Sequence, residues 1–232
     1  GNADVILDGI NVTANNVYLK GLNCGTKSFT IAGNLDGLVC ENCTGGVNSF
    51  GGYGTASGNF TNCTGGEYSF GGTASGTFNY CTAGEGSFGG GGTASGTFNY
   101  CIGGEYSFGG TASGTFNYCT GGEGSFGGSG GTASGTFNYC IGGEYTFGGT
   151  ASGTFTNCKG GGYSFGGGGG TVHGTFNSCT GGNYSFGGSG GTIASTARLY
   201  YCRLTTGTFE TPEAGGKLVL CIDGNDTVVT TS

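Results

Sequence analysis

The sequence predicts an all-β fold, a single-chain parallel β-helix (β-solenoid) of about eleven coils of 18–23 residues, right-handed by the preference of parallel crossover connections. Three observations predict it. Glycine supplies 61 of 232 residues but does not fall at every third position, and Pro212 is the sole proline, so a collagen helix is excluded along with an ordinary globular composition. Eleven of the twelve cysteines recur at spacings of 18 to 23 residues, through Cys24, Cys43, Cys63, Cys81, Cys101, Cys119, Cys140, Cys158, Cys179, Cys202 and Cys221, leaving Cys40 outside the series. Finally, one unit repeats between Cys43 and Cys179, and all of its length variation falls at one point.

Residues 1–42 read as N-terminal β-helix coils or a cap, richer in Val, Leu and Ile, as in Val5-Ile6-Leu7-Asp8-Gly9-Ile10 and Val17-Tyr18-Leu19. Residues 43–196 are the repeat solenoid. Each unit reads Thr-Ala-Ser-Gly-Thr-Phe-Asn-Tyr-Cys, then Thr-Gly-Gly-Glu-Tyr-Ser-Phe, then a glycine run. The first Thr stands eight residues before its Cys, and the second Phe seven after it. The run holds two residues after Phe70, Phe108 and Phe147, four after Phe50 and Phe88, and five after Phe126, Phe165 and Phe186. Insertion confined to one point maps to one exposed corner of a stacked coil. Coils of this length, at about 3.3 Å per residue, close a turn of two or three short strands. Glycine disfavours helical repeats by about 1 kcal/mol per position.

In Thr73-Ala74-Ser75-Gly76-Thr77-Phe78 a period of two sends Ala74, Gly76 and Phe78 inward and Thr73, Ser75 and Thr77 outward. The Asn79-Tyr80 step that follows reads as a corner whose geometry the Asn tolerates, after which Cys81 points back inside. Stacked about 4.8 Å apart, the coils align one Phe column from Phe60 to Phe176, a second from Phe50 to Phe186, and a Cys column beside them. Residues 197–232 read as C-terminal capping coils, with alternating strands at Leu199-Tyr200-Tyr201-Cys202-Arg203-Leu204 and Lys217-Leu218-Val219-Leu220-Cys221-Ile222 on either side of Pro212.

A resemblance rests on three features: the opening Leu7-Asp8-Gly9-Ile10-Asn11-Val12, the Asn-Cys-Thr steps at Asn42 to Thr44 and Asn62 to Thr64, and the Gly-Thr-Phe-Asn-Tyr-Cys-Thr-Gly-Gly array with its Cys221-Ile222-Asp223-Gly224-Asn225 ending. The first two resemble right-handed parallel β-helices of the pectate-lyase-like kind, and the third resembles the glycine-rich repeat parallel β-helix domains of phage tail fibre and tailspike-like proteins. The resemblance covers most of the chain. It implies host-surface binding, often to glycans and sometimes with glycan cleavage.

Thirteen acidic residues against six basic ones give a net charge of -7, and between Thr44 and Cys179 the sole cation is Lys159, so a nucleic acid backbone would be repelled. No apolar run approaches the roughly 18 to 20 residues needed to cross a bilayer, and no export signal opens the chain. Zinc signatures need close Cys pairs; Cys40-Glu41-Asn42-Cys43 is the sole one. In-register neighbours also hold their Cβ atoms farther apart than a disulfide prefers. The Cys column therefore reads as buried free thiols filling space, which suits assembly in a reducing compartment.

Glu67, Glu85, Glu105, Glu123 and Glu144 share one place in five coils and read as a solvated edge, with a Ca²⁺-bridging ladder as the alternative. No cofactor or metal is expected. The binding candidates are the outward rows Thr73, Ser75, Thr77; Thr93, Ser95, Thr97; Thr111, Ser113, Thr115; and Thr132, Ser134, Thr136, taken as one flat hydroxyl and methyl face, together with Tyr68, Tyr106 and Tyr145. Tyr80, Tyr100, Tyr118 and Tyr139 form a second tyrosine row. The lone histidine, His173, has no nucleophile partner in sequence, and no pair of unlike carboxylates suits glycoside hydrolysis, so a non-enzyme is expected. The expected function is a structural and receptor-binding segment of a viral tail fibre, in the virion or otherwise extracellular, contacting a cell-surface glycan or receptor and possible fellow fibre subunits. The alternatives are an ice-binding protein using the Thr/Ser face, and a subunit of an extracellular filament.

Overall fold

The computed structural model describes residues 7–31 and 37–231. Val5 and Ile6 of the predicted first strand lie outside the described residues. The chain winds as a β-solenoid of short parallel strands, with no helix among the described residues. Its longest sheet has eleven strands, from Tyr18–Lys20 through Thr77–Asn79 and its equivalents to Lys217–Val219. At about 4.8 Å per strand this is a rod roughly 50 Å long. A second sheet of eight strands runs from Thr55–Ala56 to Thr192–Ile193. A third face is a column of single bridges through Thr64, Thr82, Ile102, Thr120, Ile141 and Lys159 to Thr180.

Registration is residue for residue, Phe78 to Phe98 to Phe116 and Ala94 to Ala112 to Ala133. The reason is steric. Both Phe columns are wholly buried. Within a column, rings stack face to face, for example Phe98–Phe116 at 4.9 Å and Phe108–Phe126 at 4.6 Å between centroids. Between columns they meet edge to face, as for Phe116–Phe126 at 5.6 Å. A slip of one residue would turn every ring to solvent. The second column starts one coil earlier than expected, with Phe29 stacked 4.7 Å from Phe50. Cys40 is not an irregularity: it occupies the Phe position, paired with Phe60.

All twelve cysteines are buried and unpaired. They do more than fill space. From Cys81 to Cys202 each thiol points at the Phe carbonyl of the preceding coil, as Cys101 Sγ to Phe78 O and Cys119 Sγ to Phe98 O, both 3.3 Å. A column of buried hydroxyls, unforeseen in the sequence, runs beside the second Phe column: the Ser69 N–H donates to Ser87 Oγ and the Ser107 N–H to Ser125 Oγ, at 3.2 and 3.3 Å. These bonds satisfy amides that would otherwise be buried without a partner.

Two corners differ from expectation. Thr73–Ala74 and Thr77–Asn79 belong to different sheets, and the chain bends between them, the Ser75 and Gly76 N–H groups sharing the Ala56 carbonyl at 3.0 Å each. The glycine is required there. A Cβ on Gly76 would fall onto the Gly58 carbonyl oxygen, and one on Gly96 onto that of Gly76. The next corner is turned by Tyr80 (φ 55°), not by Asn79, which ends a strand. The asparagines instead form an amide ladder, each Nδ2 donating to the preceding Oδ1: Asn99 to Asn79 and Asn117 to Asn99 at 2.8 Å, Asn138 to Asn117 at 2.9 Å. Left-handed backbone also recurs at the second Phe column, from Phe50 (φ 54°) to Phe186 (φ 54°). Each such residue costs about 1–2 kcal/mol, which the stacked ring offsets.

Near the C-terminal end the sheet edges are covered. The last strand, Val228–Val229, pairs antiparallel with Cys221–Ile222. Thr231 Oγ1 and Thr230 Oγ1 accept from the Leu218 and Leu220 N–H groups at 2.9 and 3.2 Å. Glu213 donates its N–H to the Ile193 carbonyl at 2.9 Å. These edge groups are thereby paired within the chain.

Candidate functional site

Four outward columns follow from this frame, and they differ in what they offer. The Thr/Ser row is not one flat face. Thr73, Thr93, Thr111 and Thr132 lie on the eight-stranded sheet, Thr77, Thr97, Thr115 and Thr136 on the eleven-stranded one, and Ser75, Ser95, Ser113 and Ser134 stand exposed at the bend between them. The period of two survives the bend, so the sequence pattern conceals it. The hydroxyls of this row are divided between two sheets and the bend. A shallow cleft of about 320 Å³ crosses the bend at Ser57, Ser75 and Thr77.

Tyr80, Tyr100, Tyr118 and Tyr139 stand about half exposed on the third face, beside Ile102 and Ile141. Their rings stack at 5.0, 4.9 and 4.8 Å, within 6° of parallel. In such a column each ring covers its neighbour's face, so edges and hydroxyls meet solvent.

Tyr68, Tyr106 and Tyr145 belong to the turn that carries the Glu row, and all three are left-handed, at φ 53°, 52° and 52°. Glycine holds the same place in the intervening coils, as Gly86 (φ 62°) and Gly124 (φ 64°). This alternation lets the tyrosine ring spread over the next coil: a Cβ on Gly86 would lie 2.7 Å from the Tyr68 ring, and one on Gly124 2.6 Å from that of Tyr106. Where tyrosines occupy successive coils they stack instead, Tyr145 on Tyr163 at 4.9 Å. Glu67, Glu85, Glu105, Glu123 and Glu144 are exposed immediately before these positions.

The glycine corner completes the site. Long runs fold back on themselves, Gly92 N–H to Gly89 O at 2.7 Å and Gly54 N–H to Gly51 O at 2.7 Å, and stand on either side of the short run Gly71-Gly72. Between them lies a cleft of about 410 Å³ walled by Tyr53 and Tyr68 and floored by Gly72 and Gly86. Tyr53, 76% exposed, stacks 5.8 Å from Tyr68. A second cleft of about 230 Å³ lies between Tyr106 and Tyr145, with Glu123, Gly124, Gly128 and Ser129 around it. The long and short runs thus flank clefts, which their lengths alone did not reveal.

Among the described residues, no group of three or more His, Cys, Asp or Glu side chains is placed to hold a metal. His173 is exposed, its Nδ1 3.5 Å from Thr196 Oγ1. The fold and these clefts define the class: a parallel β-solenoid with a buried Phe and Cys core and an aromatic, glycine-rich flank. Comparison with protein families, curated proteins and solved structures finds no match.

Proposed function

We propose that the chain is a rigid, non-catalytic, receptor-binding segment of a viral tail fibre that contacts a cell-surface glycan through its tyrosine and glycine flank. One observation carries the reading: exposed and half-buried tyrosines wall two glycine-lined clefts on one flank of a stiff rod. Concave sites of apolar walls and a few polar groups are where small rings bind, and a tyrosine ring with its hydroxyl suits a sugar's mixed surface. The twelve buried, unpaired thiols support assembly in a reducing cytoplasm, and the resemblance to tail fibre repeats supports a place in the virion.

The test is a glycan array and whole-cell binding screen with labelled protein, repeated with Tyr106→Ala. Binding that the substitution weakens at least tenfold is the expected outcome. Failure to bind any glycan or cell refutes the reading, and release of new reducing ends from a bound polymer refutes its non-catalytic part.

A further inference from the structure

We infer that the ligand of this flank is an extended 1,4-linked glycan lying along the rod axis, uncharged or bearing amino groups. The inference deepens the glycan reading and rests on it. Its first support is which rings keep a usable face. A pyranose packs its axial C–H face on an aromatic ring, and a stacked column offers edges only. Tyr80, Tyr100, Tyr118 and Tyr139 are stacked, as are Tyr145 and Tyr163. Tyr68 and Tyr106 are each followed by a glycine, over which the ring spreads, and Tyr68 shares its cleft with the Tyr53 ring 5.8 Å away. Tyr106 is 52% exposed and has no ring neighbour among the described residues.

The second support is spacing. Tyr68 and Tyr106 lie two coils apart, an advance of about 9.6 Å along the axis for coils about 4.8 Å apart; Tyr145 continues the interval as the far wall of the Tyr106 cleft, with its ring stacked on Tyr163. This interval is close to the advance per disaccharide of a chain with equatorial 1,4 linkages, a flat ribbon in which alternate sugars turn the same face to a wall. An α-1,4-glucan such as maltohexaose, with one axial and one equatorial bond at each linkage, coils, and its successive sugars rotate away from a straight row of rings.

Access along the row is the third. Gly91 and Gly130 sit at the tips of long runs, where a Cβ would meet nothing within 4 Å, and neither is left-handed. Neither space nor backbone demands glycine there. Gly91 lies on the rim of the Tyr68 cleft, and its lack of a side chain keeps that rim low.

Charge sets the last feature. Glu67, Glu105 and Glu144 directly precede the three rings, Glu123 lies at the Tyr106–Tyr145 cleft, and Lys159 is the sole cation between Thr44 and Cys179. A polyuronate or sulfated chain is repelled from such a row, and an amino sugar is attracted, more strongly at low salt.

The experiment measures binding of the intact chain to four ligands by calorimetry: cellohexaose, a glucosamine hexamer, maltohexaose and an oligoguluronate. The two extended, non-acidic hexamers are expected to bind at least tenfold more tightly than the other two, the glucosamine hexamer weakening with added salt. Tyr106→Ala is expected to reduce that binding at least tenfold, while Tyr100→Ala, in the stacked column, leaves it within twofold. Equal affinity for maltohexaose, preference for the oligoguluronate, or equal loss in the two variants overturns the inference and leaves the glycan reading standing. Binding to none of the four also overturns it, and the broader reading falls with it only if the array and whole cells are empty too.

Discussion

Replacing Phe116 by alanine tests the claim that stacked rings, and not the glycine framework, hold the coils in register. Phe116 is wholly buried between Phe98 at 4.9 Å and Phe137 at 4.8 Å, with the edges of Phe108 and Phe126 at 5.9 and 5.6 Å. Truncating a buried Phe costs about 3–5 kcal/mol. Four aromatic pairs, each worth about 0.5–1.5 kcal/mol beyond burial, place this site at the upper end, near 5 kcal/mol. Phe116→Leu keeps most of the apolar volume and loses the rings, so it should cost clearly less, about 2 kcal/mol. Because each coil touches only its neighbours, the loss should be local. Hydrogen exchange is expected to quicken most in the coils of Phe98, Phe116 and Phe137, with denaturant unfolding giving the total. A loss below about 1 kcal/mol for the alanine variant, or equal losses for the two variants, would refute the reasoning.

Two further outcomes are expected. Gly114→Ala drives a methyl group onto the Gly96 carbonyl oxygen, a backbone atom that cannot rotate away, and should destabilise by about 3 kcal/mol, whereas Gly91→Ala at an open loop tip should leave the melting temperature unchanged; similar melting temperatures for the two would contradict the corner packing. Burial pushes the Cys81 and Cys101 thiols above the usual range. Thiols that stay protonated when folded but ionise when unfolded give stability that is fully present below an unfolded pKa of about 8.5 and lost as pH rises above it, by about 1.4 kcal/mol per pH unit for each thiol. Replacing both by alanine should flatten the decline of stability between roughly pH 8 and 10, and a wild-type curve already flat there would sink the argument.

Much of the frame was legible because it is written in spacing. Thr eight residues before each Cys and Phe seven after it fix two ring columns and one thiol column, and burial of Ala74, Phe78, Cys81 and Phe88 follows from them. The bend at Ser75-Gly76 was hidden because alternation continues through it, although a glycine at that place in successive repeats was the available signal. The left-handed tyrosines and phenylalanines were hidden for a different reason: bulky residues are the last expected there, and in the Phe column and the Tyr80 row it is ring stacking that offsets the strain. Alternation of Tyr68, Gly86, Tyr106 and Gly124 was legible and passed over. It matters only once a ring is seen to lie over the next coil.

Glycine plays opposite parts in this molecule, and the contrast locates function. At Gly76, Gly96, Gly114 and Gly135 a side chain would strike the backbone of the preceding coil, so these glycines set the coil spacing and can accept no change. At Gly86 and Gly124 a side chain would displace a tyrosine ring. At Gly91 and Gly130 it would meet open space. The first set builds the rod and the second arranges the rings, but the third is needed for neither. Gly91, which the fold leaves free, lies on the rim of the Tyr53–Tyr68 cleft, and the proposed glycan would approach over it. The walls of the rod are fixed by packing, so on the proposed glycan reading specificity resides in the height of the glycine rim and the interval between tyrosines.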